Sequence, residues 1–334
     1  MPDFRKLLFP FSVLYDGITA LRNYAYDNGI LSSTSYDVPV ICVGNLSVGG
    51  TGKSPMIEYL VNLLKQDHKV AVLSRGYGRK TSGYLEVKTD HTAREVGDEP
   101  LQIKRNFPKV MVAVCGDRRQ GIERLKPNAD IILLDDAFQH RRVAASLNIL
   151  LTSYHNLFIN DLLLPAGNLR ESRKGMKRAD CIVVTKCPEG VAYAKLQEIQ
   201  LALRIQSHQR IYFSKIGYDS LIYGISETQP LDYLLDKPFT LVTGIANPKP
   251  LVEFLKGKHF RFDHMKFQDH HSFSDSEIEK MKEKDIILTT QKDFMRLKDR
   301  LEKFAFYYLP IKTIVLNRQE PFFQKYILEK IEEH

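Results

Sequence analysis

Thirteen consecutive residues constrain the fold more than any other stretch: Val43-Gly44-Asn45-Leu46-Ser47-Val48-Gly49-Gly50-Thr51-Gly52-Lys53-Ser54-Pro55. A Val/Ile run, Val38–Val43, precedes the glycines, and Met56–Gln66 follows with Ile57, Leu60, Val61 and Leu64 on one helical face. Strand, glycine-rich loop and helix in that order make a phosphate cradle, because glycine lets successive N–H groups turn inward at a helix N-terminus. On this reading Ser47, Val48, Gly49, Gly50, Thr51 and Gly52 wrap phosphate oxygens, Lys53 reaches the β- and γ-phosphates, and the Ser54 hydroxyl ligates Mg²⁺. Ser47 stands where the strict motif has its first glycine.

The surrounding texture agrees. Lys69–Ser74, Val110–Val114, Ile131–Asp135, Leu147–Leu151 and Cys181–Thr185 are further short apolar runs separated by amphipathic stretches. Continuous Val/Ile/Leu runs suit strands covered on both faces, and helices between them give βαβ units. The expected fold class is α/β: a doubly wound, mostly parallel sheet with a smaller α/β C-terminal lobe on a two-strand hinge. Arg210–Ile216 and Phe304–Leu309 are the aromatic-rich candidates for that hinge. Inside the lobe, Asn247-Pro248 starts one helix and the Ser274-x-x-Glu277 capping box another. The expected divisions are 1–35, an amphipathic helical segment; 36–212, the core; 213–234 and 304–318, hinge strands; 235–303, the lobe; and 319–334, a C-terminal helix.

A formal charge of +8 invites a nucleic-acid or membrane partner. Its distribution argues otherwise. Residues 101–180 hold 14 Lys/Arg against 8 Asp/Glu, so 14 − 8 = +6 lies in one quarter of the chain. No basic run interleaved with aromatics occurs, so a basic active-site surface for a phosphorylated small molecule or headgroup fits better than nucleic acid. No apolar run reaches the roughly 18–20 residues of a membrane span, and Pro10 and Asp16 interrupt the N-terminal apolar stretch, which does not read as a signal peptide. Cys42, Cys115, Cys181 and Cys187 lack metal-ligand spacing and read as buried thiols of a cytosolic protein. Phe11, Leu14, Ile18, Leu21 and Ala25 recur at helical spacing. Two readings fit them: a helix packed on the core, or an interfacial helix on a membrane. Residues 1–37 carry three basic and four acidic side chains, so membrane attachment there would be hydrophobic rather than electrostatic.

Several further groups carry chemistry. Ile131–Asp136 is an apolar strand ending in the acids Asp135 and Asp136, the form that holds Mg²⁺ opposite a phosphate loop. Val183-Val184-Thr185-Lys186 resembles a guanine-reading strand end, but Pro188 replaces its acid, which favours ATP over GTP. Gly97-Asp98-Glu99-Pro100 places two carboxylates in a Gly/Pro turn, where a kinase needs one to take a proton from an acceptor hydroxyl. Asp269-His270-His271-Ser272-Phe273 adds imidazoles in the lobe. Arginine-bearing turns (Ser74–Arg79, Gly116–Arg119, Pro165–Glu171) suit the anion-binding edge of a parallel sheet.

Taken together, blocks 43–55, 74–79, 97–100, 135–140, 165–171 and 269–273, in that order, resemble the tetraacyldisaccharide 4′-kinase (lipid A 4′-kinase) family across most of the chain. Ser54 replaces the commoner Thr, and Ala137 the usual Gly. The resemblance implies ATP- and Mg²⁺-dependent phosphorylation of the 4′-hydroxyl of an acylated disaccharide 1-phosphate. The work would be done peripherally at the cytoplasmic face of a bacterial inner membrane, met through the N-terminal segment, with no obligate protein partner. It further implies Asp98 as catalytic base, His270 and Asp269 assisting, Lys53 on the phosphates, and Ser54, Glu99, Asp135 and Asp136 as metal-ligand candidates. Tyr77, Arg118, Arg119, Asn168, Arg170 and Glu171 become candidates for the lipid-substrate rim. The rival reading, a membrane-associated P-loop ATPase switch without an acceptor, leaves Gly97–Pro100 and Asp269–Phe273 without a role.

Overall fold

The computed structural model describes residues 4–269 and 271–334. They form two units, Met1–Ile216 with Thr313–His334, and Gly217–Lys312. In the first, α1 (Phe9–Asp27) precedes β1 (Val40–Asn45), α2 (Lys53–Leu64), β2 (Val70–Ser74), β3 (Leu85–Glu86), α3 (Ala93–Val96) and α4 (Asp98–Asn106). There follow β4 (Met111–Val114), α5 (Arg118–Leu125), β5 (Ile131–Asp135), β6 (Leu147–Ser153), β7 (Cys181–Thr185), α6 (Tyr193–Leu203) and β8 (Arg210–Tyr218). Strand order is β8-β7-β6-β1-β5-β2-β4-β3, parallel from β8 to β4, with β3 antiparallel at the edge. Every residue of β1, β2, β5 and β7 is buried, which explains why these runs are continuously apolar rather than alternating. Alternate side chains feed opposite faces. Ile41, Val43, Ile131 and Leu133 pack with Met56, Ile57, Leu60, Val61 and Leu64 of α2, whereas Val40, Cys42, Ile132 and Leu134 join Phe138 and Phe158 on the other side. All four cysteines are buried and free.

In the second unit the chain runs through β9 (Leu221–Tyr223), β10 (Thr228–Pro230), β11 (Phe239–Thr243), α7 (Lys249–Gly257), β12 (Phe262–Lys266), α8 (Asp275–Lys282), β13 (Ile286–Thr290), α9 (Gln291–Leu297) and β14 (Ala305–Leu309). Its sheet has the order β10-β9-β14-β13-β11-β12, parallel from β14 to β12. The Asn247 side chain caps the start of α7 through the Lys249 N–H at 3.2 Å, and Ser274 and Glu277 form the expected capping box on α8. The chain then returns through β15 (Ile311–Val315), neighbour of β8 in the first sheet, to α10 (Glu320–Glu332). Phe323 of α10 is fully buried against Tyr212 and Tyr59.

One expectation about the hinge is corrected. Phe304–Leu309 is not a connector: β14 lies inside the second sheet, between β9 and β13, because its apolar residues Phe306, Tyr307 and Leu309 are core. The chain leaves the first unit after Ile216, within β8, and re-enters it at Thr313, within β15.

Helix α1 is turned opposite to an ordinary amphipathic helix. Ser12, Tyr15, Asp16, Thr19, Asn23 and Tyr26 form its inward stripe, while Phe11, Val13, Leu14, Ile18 and Leu21 are exposed. The inward face is held by hydrogen bonds. The Ser12 hydroxyl donates to the Leu163 carbonyl and accepts from the Ala166 N–H, both at 3.0 Å. Tyr15 Oη donates to the Arg170 carbonyl at 2.7 Å, and Asn23 Nδ2 donates to Glu171 Oε2 at 3.1 Å. Just before the helix, Arg5 donates to the carbonyls of Pro165 and Gly167 and to Asn168 Oδ1. No helix among the described residues is long and apolar enough to cross a membrane.

Candidate active site

The sheet's winding reverses at β1, flanked by β5 on one side and β6 on the other, and such switch points place ligands outside the carboxyl ends of the strands. The glycine loop emerges there. Gly52, with φ +88°, is the N-cap of α2, a conformation that a side chain would strain. Lys53 is therefore the first helical residue and Pro55 the third, where a missing N–H costs nothing. The loop is anchored from several sides. Asn45 Nδ2 donates to Thr51 Oγ1 at 2.8 Å, Thr185 Oγ1 to the Thr51 carbonyl at 2.7 Å, and Lys186 Nζ to the Gly50 carbonyl at 2.6 Å. Ser47 bridges to Leu169, and the Val48 N–H donates to the Asn168 carbonyl at 2.7 Å.

Around this loop the acids gather. Asp135 pairs with Val43 in register and is 1% exposed. Its Oδ2 accepts from Ser74 Oγ at 3.1 Å, and its buried Oδ1 has no partner. Burial, then the charges of Glu99 and Asp136, push its carboxyl well above the usual range, with Lys53 opposing. Asp136, at φ +49°, accepts both its bonds from Arg170 Nη1 at 2.8 and 2.9 Å and lies 3.7 Å from Lys53 Nζ. Ser54 Oγ donates to Glu99 Oε1 at 3.3 Å.

Asp98 and Glu99 occupy the first turn of α4, not the open turn expected from their Gly/Pro neighbours. Gly97 makes this possible: at φ +92° it ends α3 and starts α4, and a Cβ there would meet the Tyr77 carbonyl at 3.1 Å. Asp98 is exposed and Glu99 half-buried. Tyr77 is 90% exposed on the loop after β2.

Three of the expected rim residues are internal fixtures. Arg118 is buried, its Nη1 donating to the carbonyls of Cys115 and Gly116 at 3.2 Å and Nη2 to that of Asp135 at 3.5 Å. It ties strand ends rather than lining a rim. Glu171 is buried, accepting from Arg178 Nη2 at 2.8 and 2.9 Å and Gln139 Nε2 at 3.0 Å. Asn168 is held by Asp161 and Arg5. Arg119 is paired with Asp117 at 3.1 Å. In the second unit, Asp269 is exposed in the turn after β12, at the carboxyl edge of that sheet. His271 stacks on Phe267 and bonds Glu277 at 3.0 Å, a local packing role. His270 lies outside the described residues.

Residue patterns alone did not single out Gln139, Arg178 or the Lys186–Gly50 contact. Gln139 Nε2 joins the Asn45 carbonyl (2.8 Å) to Glu171, and its only sequence signal is its place four residues after Asp135. A cavity of about 680 Å³ lies elsewhere, at the strand-starting edge of the second sheet beside Phe239, Phe262 and Ile286. Parallel sheets bind at the opposite edge, so the chemistry is not placed there.

An anchored phosphate loop, a lysine facing paired strand-end acids and a carboxylate against the loop's serine define a P-loop nucleotide phosphotransferase. The model of the tetraacyldisaccharide-1-P 4′-kinase family matches residues 4–332. The chain belongs to that family. A tetraacyldisaccharide 4′-kinase from Flavobacterium johnsoniae is 48% identical, with 98% of each chain covered. One from Bacteroides thetaiotaomicron is 42% identical, covering 98% of this chain and 94% of the relative. A crystal structure of LpxK from Aquifex aeolicus in complex with ATP matches with TM-score 0.78 and 33% identity, over 98% of this chain and 99% of that one.

Proposed function

We propose that this chain transfers the γ-phosphoryl group of ATP to the 4′-hydroxyl of a tetraacylated disaccharide 1-phosphate, giving ADP and the 4′-phosphorylated lipid. One observation carries the acceptor chemistry: Gly97 brings α4 to the phosphate loop, so that Glu99 touches Ser54 while the adjacent Asp98 stays exposed. Asp98 takes the hydroxyl proton as the oxygen forms its bond to the γ-phosphorus and the β–γ bridge breaks toward ADP. Lys53 meets the charge that grows on the phosphoryl oxygens, and Arg170 holds Asp136 in place beneath it. His270 and Asp269 act as assistants of Asp98.

The donor set fits Mg²⁺. The Ser54 hydroxyl, Glu99, Asp136 and the unpartnered Oδ1 of Asp135 are hard oxygens of the kind it takes. Among the described residues no three or more His, Cys, Asp or Glu side chains converge as a complete metal site, so phosphate and water oxygens would have to fill the rest of the ion's sphere. When bound, Mg²⁺ neutralises β- and γ-phosphate charge.

The outward apolar face of α1 is the surface that meets the cytoplasmic face of the inner membrane. Helices of this kind lie in the interface with the apolar side in the acyl region, and here Ser12, Tyr15 and Asn23 of the polar side are bonded to the loop 163–171. Radiolabelled ATP, purified protein and the acylated acceptor in detergent micelles test the reading. Label entering an organic-extractable glycolipid is expected. Phosphate release without transfer refutes it in favour of a hydrolytic switch.

A further inference from the structure

Two successive residues at the end of β7 place their side chains on two successive carbonyls of the phosphate loop. Thr185 Oγ1 donates to the Thr51 carbonyl at 2.7 Å, and Lys186 Nζ donates to the Gly50 carbonyl at 2.6 Å. We propose that Lys186 is a positioning residue for phosphoryl transfer: its ammonium group fixes the glycine loop in the shape that receives the phosphates of ATP. For its ligand the assignment rests on the kinase reading above.

Backbone conformation is the first argument. Successive side chains of an extended strand point to opposite faces, so a regular continuation of β7 would send Thr185 and Lys186 to opposite sides of the sheet. Lys186 instead has φ +58°, in the left-handed region. A lysine is strained there, and such residues persist where the surrounding structure holds them, characteristically at functional sites. The turn is clamped on its far side by the Cys187 N–H, which donates to the Ser214 carbonyl of β8 at 3.0 Å. Glycine or asparagine would make the same turn with less strain. The turn alone therefore does not account for a lysine, whereas the bond from its ammonium to Gly50 does.

The loop's own carbonyls supply the second argument. The Gly49 carbonyl accepts from the Thr51 N–H at 3.1 Å and the Gly52 carbonyl from the Met56 N–H at 3.2 Å. Those two bonds belong to the loop and to α2. The carbonyls between them, of Gly50 and Thr51, are held from β7. In a trans peptide the C=O and the following N–H point opposite ways. Lys186 thus sets the peptide whose N–H closes the tight turn on Gly49, and Thr185 sets the next, which carries the Gly52 N–H.

The third argument is what each loop residue offers as a handle. Thr51 is gripped twice, through its hydroxyl by Asn45 and through its carbonyl by Thr185, which also reaches the Thr152 carbonyl of β6 at 3.2 Å. Gly50 has no side chain, so its backbone is the only handle, and Lys186 takes it. A glycine pair such as Gly49-Gly50 has wide conformational freedom, and a loop left free there must be ordered when the phosphates bind, which weakens binding. An ammonium group does this work better than a neutral donor: its hydrogen bond is stronger, and its charge favours the polyphosphate.

Lys186→Met keeps the aliphatic stem and removes the ammonium, while Lys186→Asn also eases the left-handed turn. In calorimetry with MgATP and no acceptor, both variants are expected to bind roughly 10-fold more weakly than wild type, the scale of one charge-assisted hydrogen bond. KM for ATP should rise in step, with KM for the acceptor unchanged. Lys186→Arg, which also donates to a carbonyl, should recover most of the binding. Melts without nucleotide separate positioning from packing. Lys186→Asn should melt at or above the wild-type temperature because strain is relieved, whereas loss of a residue that merely packs would lower it. Unchanged MgATP binding in Lys186→Met overturns the proposal. So does weaker binding that comes only with a fall in melting temperature, or a Lys186→Arg protein as weak as Lys186→Met. Wild type that binds MgATP more tightly than Lys186→Met but transfers to no acceptor condemns the kinase reading and leaves the loop assignment standing.

Discussion

The inverted helix α1 gives the sharpest separation between stability and membrane binding. Leu14 is 65% and Ile18 61% exposed, so replacing both by Asp removes only about a third of each side chain's burial from the fold. Full burial of such a side chain contributes roughly 1.5–3 kcal/mol, which leaves about 0.5–1 kcal/mol per residue. In a chain of this size that lowers the melting temperature by only a few degrees. On a bilayer the remaining two-thirds enters acyl chains, and a carboxylate there adds its own cost. About 2–4 kcal/mol of membrane affinity should vanish, equivalent to a 30- to 1000-fold weaker partition. Vesicle co-sedimentation and a thermal melt on the same preparation read both quantities. The converse variant, Ser12→Leu, loses two buried hydrogen bonds and should cost about 1–3 kcal/mol of stability while sparing vesicle binding. A Leu14→Asp/Ile18→Asp protein that melts far below wild type yet still sediments with vesicles refutes the outward assignment of this face.

Lys53→Ala should cut turnover at least about 10³-fold, since its charge opposes that of the phosphoryl oxygens in the transition state, while the melting temperature stays near wild type; a folded, active variant removes the loop assignment. Asp98→Ala should lower turnover roughly 10²–10⁴-fold with KM for ATP little changed. If His270 serves Asp98, the double variant Asp98→Ala/His270→Ala should lose little more than either single variant, whereas multiplied losses in turnover assays mean independent roles. His140 is neutral when native down to pH about 4 but titrates at its ordinary 6.5 when unfolded. Between those values the unfolded chain binds the extra proton, so stability falls as pH falls through that window. His140→Gln should flatten this slope in melts at stepped pH, and an unchanged slope refutes the assignment.

Much of the first unit was legible because its strands are buried on both faces and carry no competing pattern. Ile131–Asp135 and Cys181–Thr185 match their strands residue for residue. The second unit was harder. β14 mixes Phe306 and Leu309, which are core, with half-exposed Tyr308, and an aromatic-rich alternation of this kind reads equally well as a connector or as a sheet interior. The acids of the site were visible as motifs, but their partners were not. Nothing in the spacing of Ser54 and Glu99, or of Ser74 and Asp135, records that the fold joins them. Arg118 and Glu171 were rim candidates because the family resemblance and their place in turns at the carboxyl edge of the sheet put them there. Arg118 is instead tied through its two Nη atoms to backbone carbonyls, and Glu171 is engaged by Arg178 and Gln139; neither pairing is recorded in the sequence.

The helix α1 shows the same limit from the other direction. Its periodicity is unambiguous, yet periodicity fixes only that a stripe exists, not which side of it faces the protein. The decision rests on the partner surface. The loop 163–171 presents backbone carbonyls and N–H groups at Leu163, Ala166 and Arg170, and burying these under leucines would leave each without a partner, at about 1–3 kcal/mol apiece. Serine, tyrosine and asparagine satisfy them. The same loop lends the Asn168 carbonyl to the Val48 N–H and the Arg170 side chain to Asp136. Polar docking of α1 therefore braces the phosphate loop and the strand-end acids, and it turns the apolar stripe outward as a geometric consequence.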